Sequence, residues 1–181
     1  MGQNGLSSLV IPSRTSCVLF TGEYLHTIDS KQRLAIPADH RSVMDPERDG
    51  NAFYAGPGPN GAIWLWSEKR FERLAEQIEQ SLLPAVEILA FDELLFPSLR
   101  RLEMDASGRI RIPEPMLVES GLGNSVVVAG MRDHLELRDP EEWERTRPQR
   151  TARRQEINRE ARGAYTNFLF RNRNGGKEEG S

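Results

Sequence analysis

The sequence predicts an α+β fold assembled from two tandem copies of a strand-turn-strand unit with helices attached. Three observations lead there. The segment GEYLHTIDSKQRLAIPADHR (residues 22–41) resembles RRLEMDASGRIRIPEPMLVESG (residues 100–121). Both segments carry Asp-x-x-x-Arg between two short runs of alternating character. In both, a proline follows the second run where a helix would start, a place where its fixed φ and missing N–H cost nothing.

Superposing the copies puts Asp29 on Asp105, Arg33 on Arg109, Leu34 on Ile110, Ile36 on Ile112 and Pro37 on Pro113. Each copy begins with a strand (EYLHTI; RRLEM), turns through five residues (DSKQR; DASGR) and leaves on a second strand (LAI; RIRI). A short helix follows. It is PADHRSVM in the first copy, stopped by DPERDGN, and PEPMLVESG in the second, with Gly121 as its C-terminal stop. A second hairpin comes next, AFYAG (52–56) aligning with VVVAG (126–130) and AIWLWS (62–67) with HLELRD (134–139). The copies differ in length around the GPGPNG loop, where insertions are tolerated.

Each second hairpin leads into a longer helix, capped by Ser67 in the first copy and by Asp139, at capping-box spacing from Glu142, in the second. Phe71, Leu74, Ala75, Ile78 and Leu82 share one face of the first helix. The second is polar, rich in arginine and interrupted at Pro148. PAVEILAFDELLFP reads as a connecting helix ended by Pro97. The expected organisation is an extension over 1–17 with the composition of a disordered tail, a first repeat over 18–67, and a helical connection over 68–98. A second repeat over 99–143 and an arginine-rich helix with a flexible tail over 144–181 complete it.

Composition narrows the function classes. With 38% apolar and 28% charged residues among 181, no run of about 18 apolar residues is present to span a membrane. The first residues lack the basic start and apolar core of a signal peptide. A lone cysteine, Cys17, makes no intrachain disulfide, and His26, His40 and His134 are too scattered for a metal site. No cofactor and no small-molecule substrate are implied, and the cytoplasm is the simplest compartment. The net charge of −3 argues against a protein that coats nucleic acid indiscriminately. Apart from Lys31, Lys69 and Lys177 the basic residues are all arginine, the side chain that forks onto phosphates and guanine edges. A GC-rich genome produces the same bias, so arginine abundance decides nothing.

The repeated turn is more informative. Asp29 and Asp105 suit Asx-turns, their carboxylates taking backbone N–H groups further along. Gly108 suits a left-handed turn position, which Gln32 fills in the first copy. Arg33 and Arg109 are placed to pair with the aspartates. Charge separates the copies: Lys31 joins Arg33 in the first turn, with Arg41 one short helix away, whereas Ala106 and Ser107 make the second turn neutral. The first turn is therefore the candidate edge for phosphates or bases, and the second, with Arg109, the structural copy.

FTGEYLHTIDSKQRLAIPADHR (20–41) resembles the opening of MraZ proteins, roughly F-x-G-E-Y-x-H-x-x-D-x-K-G-R-x-x-I-P-x-x-x-R, and MDASGRIRIP (104–113) is similar to their second signature. The likeness spans about residues 18–147. It implies a double SpoVT/AbrB-like fold, in which swapped hairpins of two repeats interleave into a small pseudo-symmetric β-barrel with helices attached. It also implies a homo-oligomeric ring that binds double-stranded DNA at short direct repeats, upstream of the division and cell-wall gene cluster, and represses its own operon in the nucleoid. Carried onto this chain, the basic DNA-contacting positions are Lys31 and Arg33, with Arg41 as a phosphate contact. Gln32 replaces the family's turn glycine and either alters the turn or touches DNA itself.

Trp64 and Trp66 share a strand face and are read as packing residues, as are Trp143 and His26. The arginine-rich stretch from Arg145 to Arg173 fits both a solvated helix stitched by Glu–Arg pairs and an arm that adds phosphate contacts. An enzyme built on Asp29 and Asp105 finds no nucleophile elbow, phosphate loop, metal cluster or adjacent histidine. Two non-enzymatic alternatives stay open. One is an antitoxin-like AbrB-class DNA binder, against which the tandem repeat speaks; the other is a structural ring without DNA binding, which Gln32 allows.

Overall fold

The computed structural model describes residues 18–77, 92–153 and 156. The N-terminal extension, Ile78 and Leu82 of the expected helical face, residues 84–91 of the connecting helix and the YTNFLF segment lie outside them.

The described residues up to Arg138 form one unit. In the first copy β1 (Glu23–Thr27) and β2 (Arg33–Ala35) flank the turn, followed by α1 (Ala38–Ser42) and α2 (Pro46–Asp49). DPERDGN, expected only to stop α1, itself winds into α2. The Asp45 carboxylate accepts the N–H groups of Glu47 and Arg48, and Pro46 takes the first position. Next come β3 (Ala52–Pro57), β4 (Ile63–Ser67) and α3 (Glu68–Gln77). The second copy supplies β5 (Arg100–Glu103), β6 (Arg109–Arg111), α4 (Glu114–Ser120), β7 (Ser125–Gly130) and β8 (Leu135–Arg138). Gly121 ends α4 at φ 68°, a conformation other residues adopt at a cost.

The strands pair antiparallel throughout, in a six-stranded sheet ordered β1-β7-β8-β4-β3-β5 and a two-stranded ribbon of β2 with β6. The order records an exchange. β1 of the first copy lies on β7 of the second, β5 of the second lies on β3 of the first, and β2 meets β6 between them. This is the α+β fold that the repeats predict, with the swapped hairpins that the family resemblance implies. The two copies are units of sequence, since each first hairpin finds its partners in the other copy.

Pairing also corrects the alignment. His26 faces Val126 and its repeat equivalent Leu102 faces Phe53, so Phe53 matches Val126, one residue away from the match read off AFYAG and VVVAG. The shared Ala-Gly ends of those segments caused the slip. A one-residue shift exchanges strand faces, and burial supports the structural match: Phe53, Ala55, Val126 and Val128 all belong to one core cluster.

That core is pseudo-symmetric. Leu34 and Ile110, Ile36 and Ile112, Ile63 and Leu135, and Leu65 and Leu137 are all shielded from solvent. Burying each side chain contributes about 1.5–3 kcal/mol. On the other face of β4, Trp64 and Trp66 lie edge to face at 5.4 Å, and Phe71 of α3 packs on Trp66 at 5.4 Å and on Tyr54 at 4.8 Å. With both faces covered, IWLW reads as an unbroken apolar run. Leu74, expected on the buried face of α3, is 50% exposed. Ser67 does not cap α3 through its side chain: it is the last residue of β4, laddered to Phe53, and its buried Oγ has no hydrogen-bond partner among the described residues.

The residues from Asp139 form a second unit, an α-helix over 140–153 here named α5. Its predicted cap is present, Asp139 Oδ1 accepting the Glu142 N–H at 2.8 Å. The helix runs through Pro148 instead of stopping there. Side-chain bonds span the site of the lost backbone bond: Arg147 pairs with Glu144 at 2.7 Å, and Arg150 stacks on Trp143 at 3.9 Å while donating to the Trp143 carbonyl.

Candidate nucleic-acid interface

The two turns are the same object built twice. In each, the aspartate N–H donates to the arginine carbonyl (Asp29 to Arg33, 3.0 Å; Asp105 to Arg109, 2.8 Å). One Oδ1 then accepts two further N–H groups, those of Lys31 and Arg33 in the first turn and of Ser107 and Arg109 in the second, all within 3.0 Å. The side chains part company after that. Arg33 closes on Asp29, its Nε and Nη2 both 2.8 Å from Oδ2, in a pair more than a third exposed. The Arg109 guanidinium is exposed and has no hydrogen-bond or ion-pair partner among the described residues. Backbone N–H groups, not an arginine staple, hold the second turn.

The backbone N–H of Arg33, then its side chain, lowers the Asp29 pKa from the ordinary 3.8 to about 2. Because the folded value lies below the unfolded one, the carboxylate's stabilisation is complete above about pH 4 and is lost as pH falls from there through 2. A thermal-unfolding series over that window is expected to show an acid limb that Asp29→Asn flattens. An unchanged limb would place the acid sensitivity elsewhere.

Gln32 adopts φ 62°, beside 74° for Gly108, so the first turn keeps its shape without glycine. A left-handed side-chain-bearing residue costs roughly 1–2 kcal/mol, partly offset because glycine loses more chain entropy on folding. The Gln32 side chain reaches Glu114 of α4 only at 3.4 Å, on the surface. Gln32→Gly is therefore expected to stabilise the protein by about 0.5–1 kcal/mol in chemical denaturation. A loss of stability would show that the Glu114 contact outweighs the strain.

The β2–β6 ribbon sets the two turns side by side. Ile36 N–H donates to the Gly108 carbonyl and Ile112 N–H to the Gln32 carbonyl, both at 2.9 Å. Leu34 and Ile110 face each other inward, fully buried. Alternation therefore turns Arg33, Ala35, Arg109 and Arg111 outward. In register, Arg33 lies opposite Arg111 and Ala35 opposite Arg109. Sequence reasoning missed Arg111, which stands outside the motif and whose repeat equivalent is Ala35. Arg41 also sits differently from expectation: it lies across the second turn. Its Nε donates to the Ile36 carbonyl at 3.1 Å, and its guanidinium covers Gly108, where an added Cβ would come within 2.7 Å of it.

Helix α1, which carries Arg41, is fixed by its buried face. His40 is 1% exposed, its Nε2–H donating to the Thr21 carbonyl at 3.0 Å, with Phe20 and Tyr24 edge-on to the ring. Burial pushes its pKa down, which favours the neutral ring. The Tyr24 hydroxyl donates to Asp39 at 2.7 Å. Lys31, at the outer end of the first turn, is exposed. Among the described residues, no group of three or more His, Cys, Asp or Glu could hold a metal ion, and no helix is long and apolar enough to cross a membrane.

Comparison with known proteins gives this architecture a family. The family model described as "MraZ protein, putative antitoxin-like" matches residues 19–89 and 96–164, one stretch on each copy. The chain belongs to the MraZ family. Curated relatives named "Transcriptional regulator MraZ" include those of Roseiflexus castenholzii, 31% identical over 70% of this chain and 85% of the relative, and Heliobacterium modesticaldum, 30% identical over 69% and 84%. The Ligilactobacillus salivarius protein of the same name is 29% identical over 70% and 85%. Membership of the MraZ family places the chain among transcriptional regulators. The paired turns and the ribbon between them lie inside the matched stretches.

Proposed function

We propose that this chain is a sequence-specific DNA-binding repressor, working as a homo-oligomeric ring on short direct repeats upstream of its own operon, in a division and cell-wall gene cluster. The observation that carries the reading is the outward face of the first turn and the β2–β6 ribbon, where Lys31 and Arg33 stand together on a braced backbone. Rigid presentation matters because a phosphate contact made by a pre-ordered side chain loses less entropy on binding. In this reading Lys31 and Arg33 contact DNA, Gln32 lies close enough to touch it, and Arg41 meets a phosphate from across the second turn. Asp29, Asp105 and Gly108 shape the turns, and Arg109 lies beside them. The protein acts in the cytoplasm at the nucleoid, without cofactor.

One hairpin neutralises about two phosphates and binds weakly at physiological salt. A ring multiplies the contact, because each further hairpin engages at high effective concentration. Identically oriented neighbours in a ring suit direct repeats as two-fold dimers suit palindromes. The test is a titration of the purified full chain with duplex DNA from upstream of its own gene against a shuffled duplex of equal length. Tighter binding to the upstream duplex supports the proposal, and equal or absent binding removes it. Absent binding by a protein that still forms rings would favour the structural-ring alternative.

A further inference from the structure

Arg33 and Arg111 lie directly opposite in the ribbon, at a position where antiparallel strands bring side chains closest. The backbone bonds of this ribbon run through Gln32–Ile112 and Ile36–Gly108, so the Arg33–Arg111 pair belongs to the alternate, non-hydrogen-bonded set. Like charges opposed there repel and destabilise the sheet. Arg33 has Asp29 to offset its charge. Arg111 is exposed and has no hydrogen-bond or ion-pair partner among the described residues. Its neighbour on the same face is Arg109, two residues back and about 6.8 Å along an extended strand. Asp105 lies near enough to Arg109 for the two charges to attract, so Arg111 is the arginine of this face left without a carboxylate partner among the described residues, beside the first turn.

We infer that Arg111 is a DNA-backbone contact, so that the interface is a composite of both copies and not the property of the first turn alone. The inference rests on the DNA-binding reading above and extends it to a residue outside the repeated motif. Its ligand is a phosphodiester of the same duplex that the first turn engages. The separation of Arg109 and Arg111 is close to that of neighbouring phosphates along one strand, and the braced ribbon holds both stems in place. Arg33, committed to Asp29 in the free protein, is the residue that exchanges its partner on binding, whereas Arg111 is available from the start. A phosphate contact carries no sequence information, so Arg111 adds affinity and register rather than base choice.

The experiment compares Arg111→Ala, Arg111→Lys and Arg33→Ala in the full chain, on the upstream and shuffled duplexes, at several salt concentrations. Arg111→Ala is expected to weaken both duplexes by about tenfold for each subunit seated on DNA. The salt dependence of log K should become shallower by about 0.9 for each subunit seated on DNA. Arg111→Lys should recover most of both. The thermal midpoint of Arg111→Ala should not fall, since the substitution relieves the opposition to Arg33; a purely structural role would lower it. Wild-type affinity and salt slope for Arg111→Ala, with binding lost in Arg33→Ala, would overturn the inference and leave the DNA-binding reading standing. Loss confined to the upstream duplex with an unchanged slope would overturn the phosphate assignment. A wild-type chain that binds neither duplex would overturn both.

Discussion

Arg33→Ala is expected to assemble as the wild type does and to lose binding to the upstream duplex. The structural side of this expectation follows from where the fold takes its support. The first turn is held by Asp29 accepting the N–H groups of Lys31 and Arg33, bonds that alanine at position 33 keeps. What alanine removes is an ion pair more than a third exposed, a kind of contact that adds little to stability. The binding side is different in scale. A charge-assisted contact to phosphate or a guanine edge is worth about tenfold or more. In a ring the loss recurs at every engaged subunit, so the factors compound. Size-exclusion chromatography and a binding titration on the same preparation separate the two. Near-wild-type affinity would remove Arg33 from the interface, and a dispersed oligomer would make it an assembly residue.

The sequence exposed what lies close along the chain. The Asp-x-x-x-Arg turns, the stop at Gly121 and the cap at Asp139 all depend on contacts within a few residues, and local chemistry was enough to place them. The inward pairs Leu34–Ile110 and Ile36–Ile112 were legible because the repeat supplies each with a counterpart. What escaped depends on the exchange between copies. Arg41 covers Gly108, and Arg111 meets Arg33, across a separation that no periodicity within one copy reports. Arg111 was hidden twice over, since its own repeat position is Ala35 and comparing copies draws attention to what they share. The alignment slip at Phe53 has a related cause. Strands β3 and β7 lack a polar face, so alternation that would fix a register is absent there, and a coincidental Ala-Gly match decided it wrongly.

That exchange has a consequence as large as the loss of binding. A fragment ending at Gln77 is expected not to fold as a monomer. It takes β1 from β7, β2 from β6, β3 from β5 and β4 from β8, leaving the β3–β4 hairpin as its one complete strand pair. An isolated hairpin is marginal in water, and half a core cannot offset the chain entropy of ordering the rest. A second copy of the fragment can stand in for the missing half. The pseudo-symmetric register would set Leu34 against its own twin and Arg33 against Ala35, relieving the arginine opposition of the full chain. The core would be less well served, because Phe53 would replace Val126 in the cluster. Overpacking of that kind costs about 1–3 kcal/mol. The fragment should therefore be unfolded when dilute and gain β-structure only with dimerisation, weakly and in proportion to concentration. Circular dichroism alongside sedimentation across a concentration series distinguishes the cases. A folded monomer at any concentration would mean that the first copy is a domain in its own right, and the strand exchange would no longer explain how the interface is held.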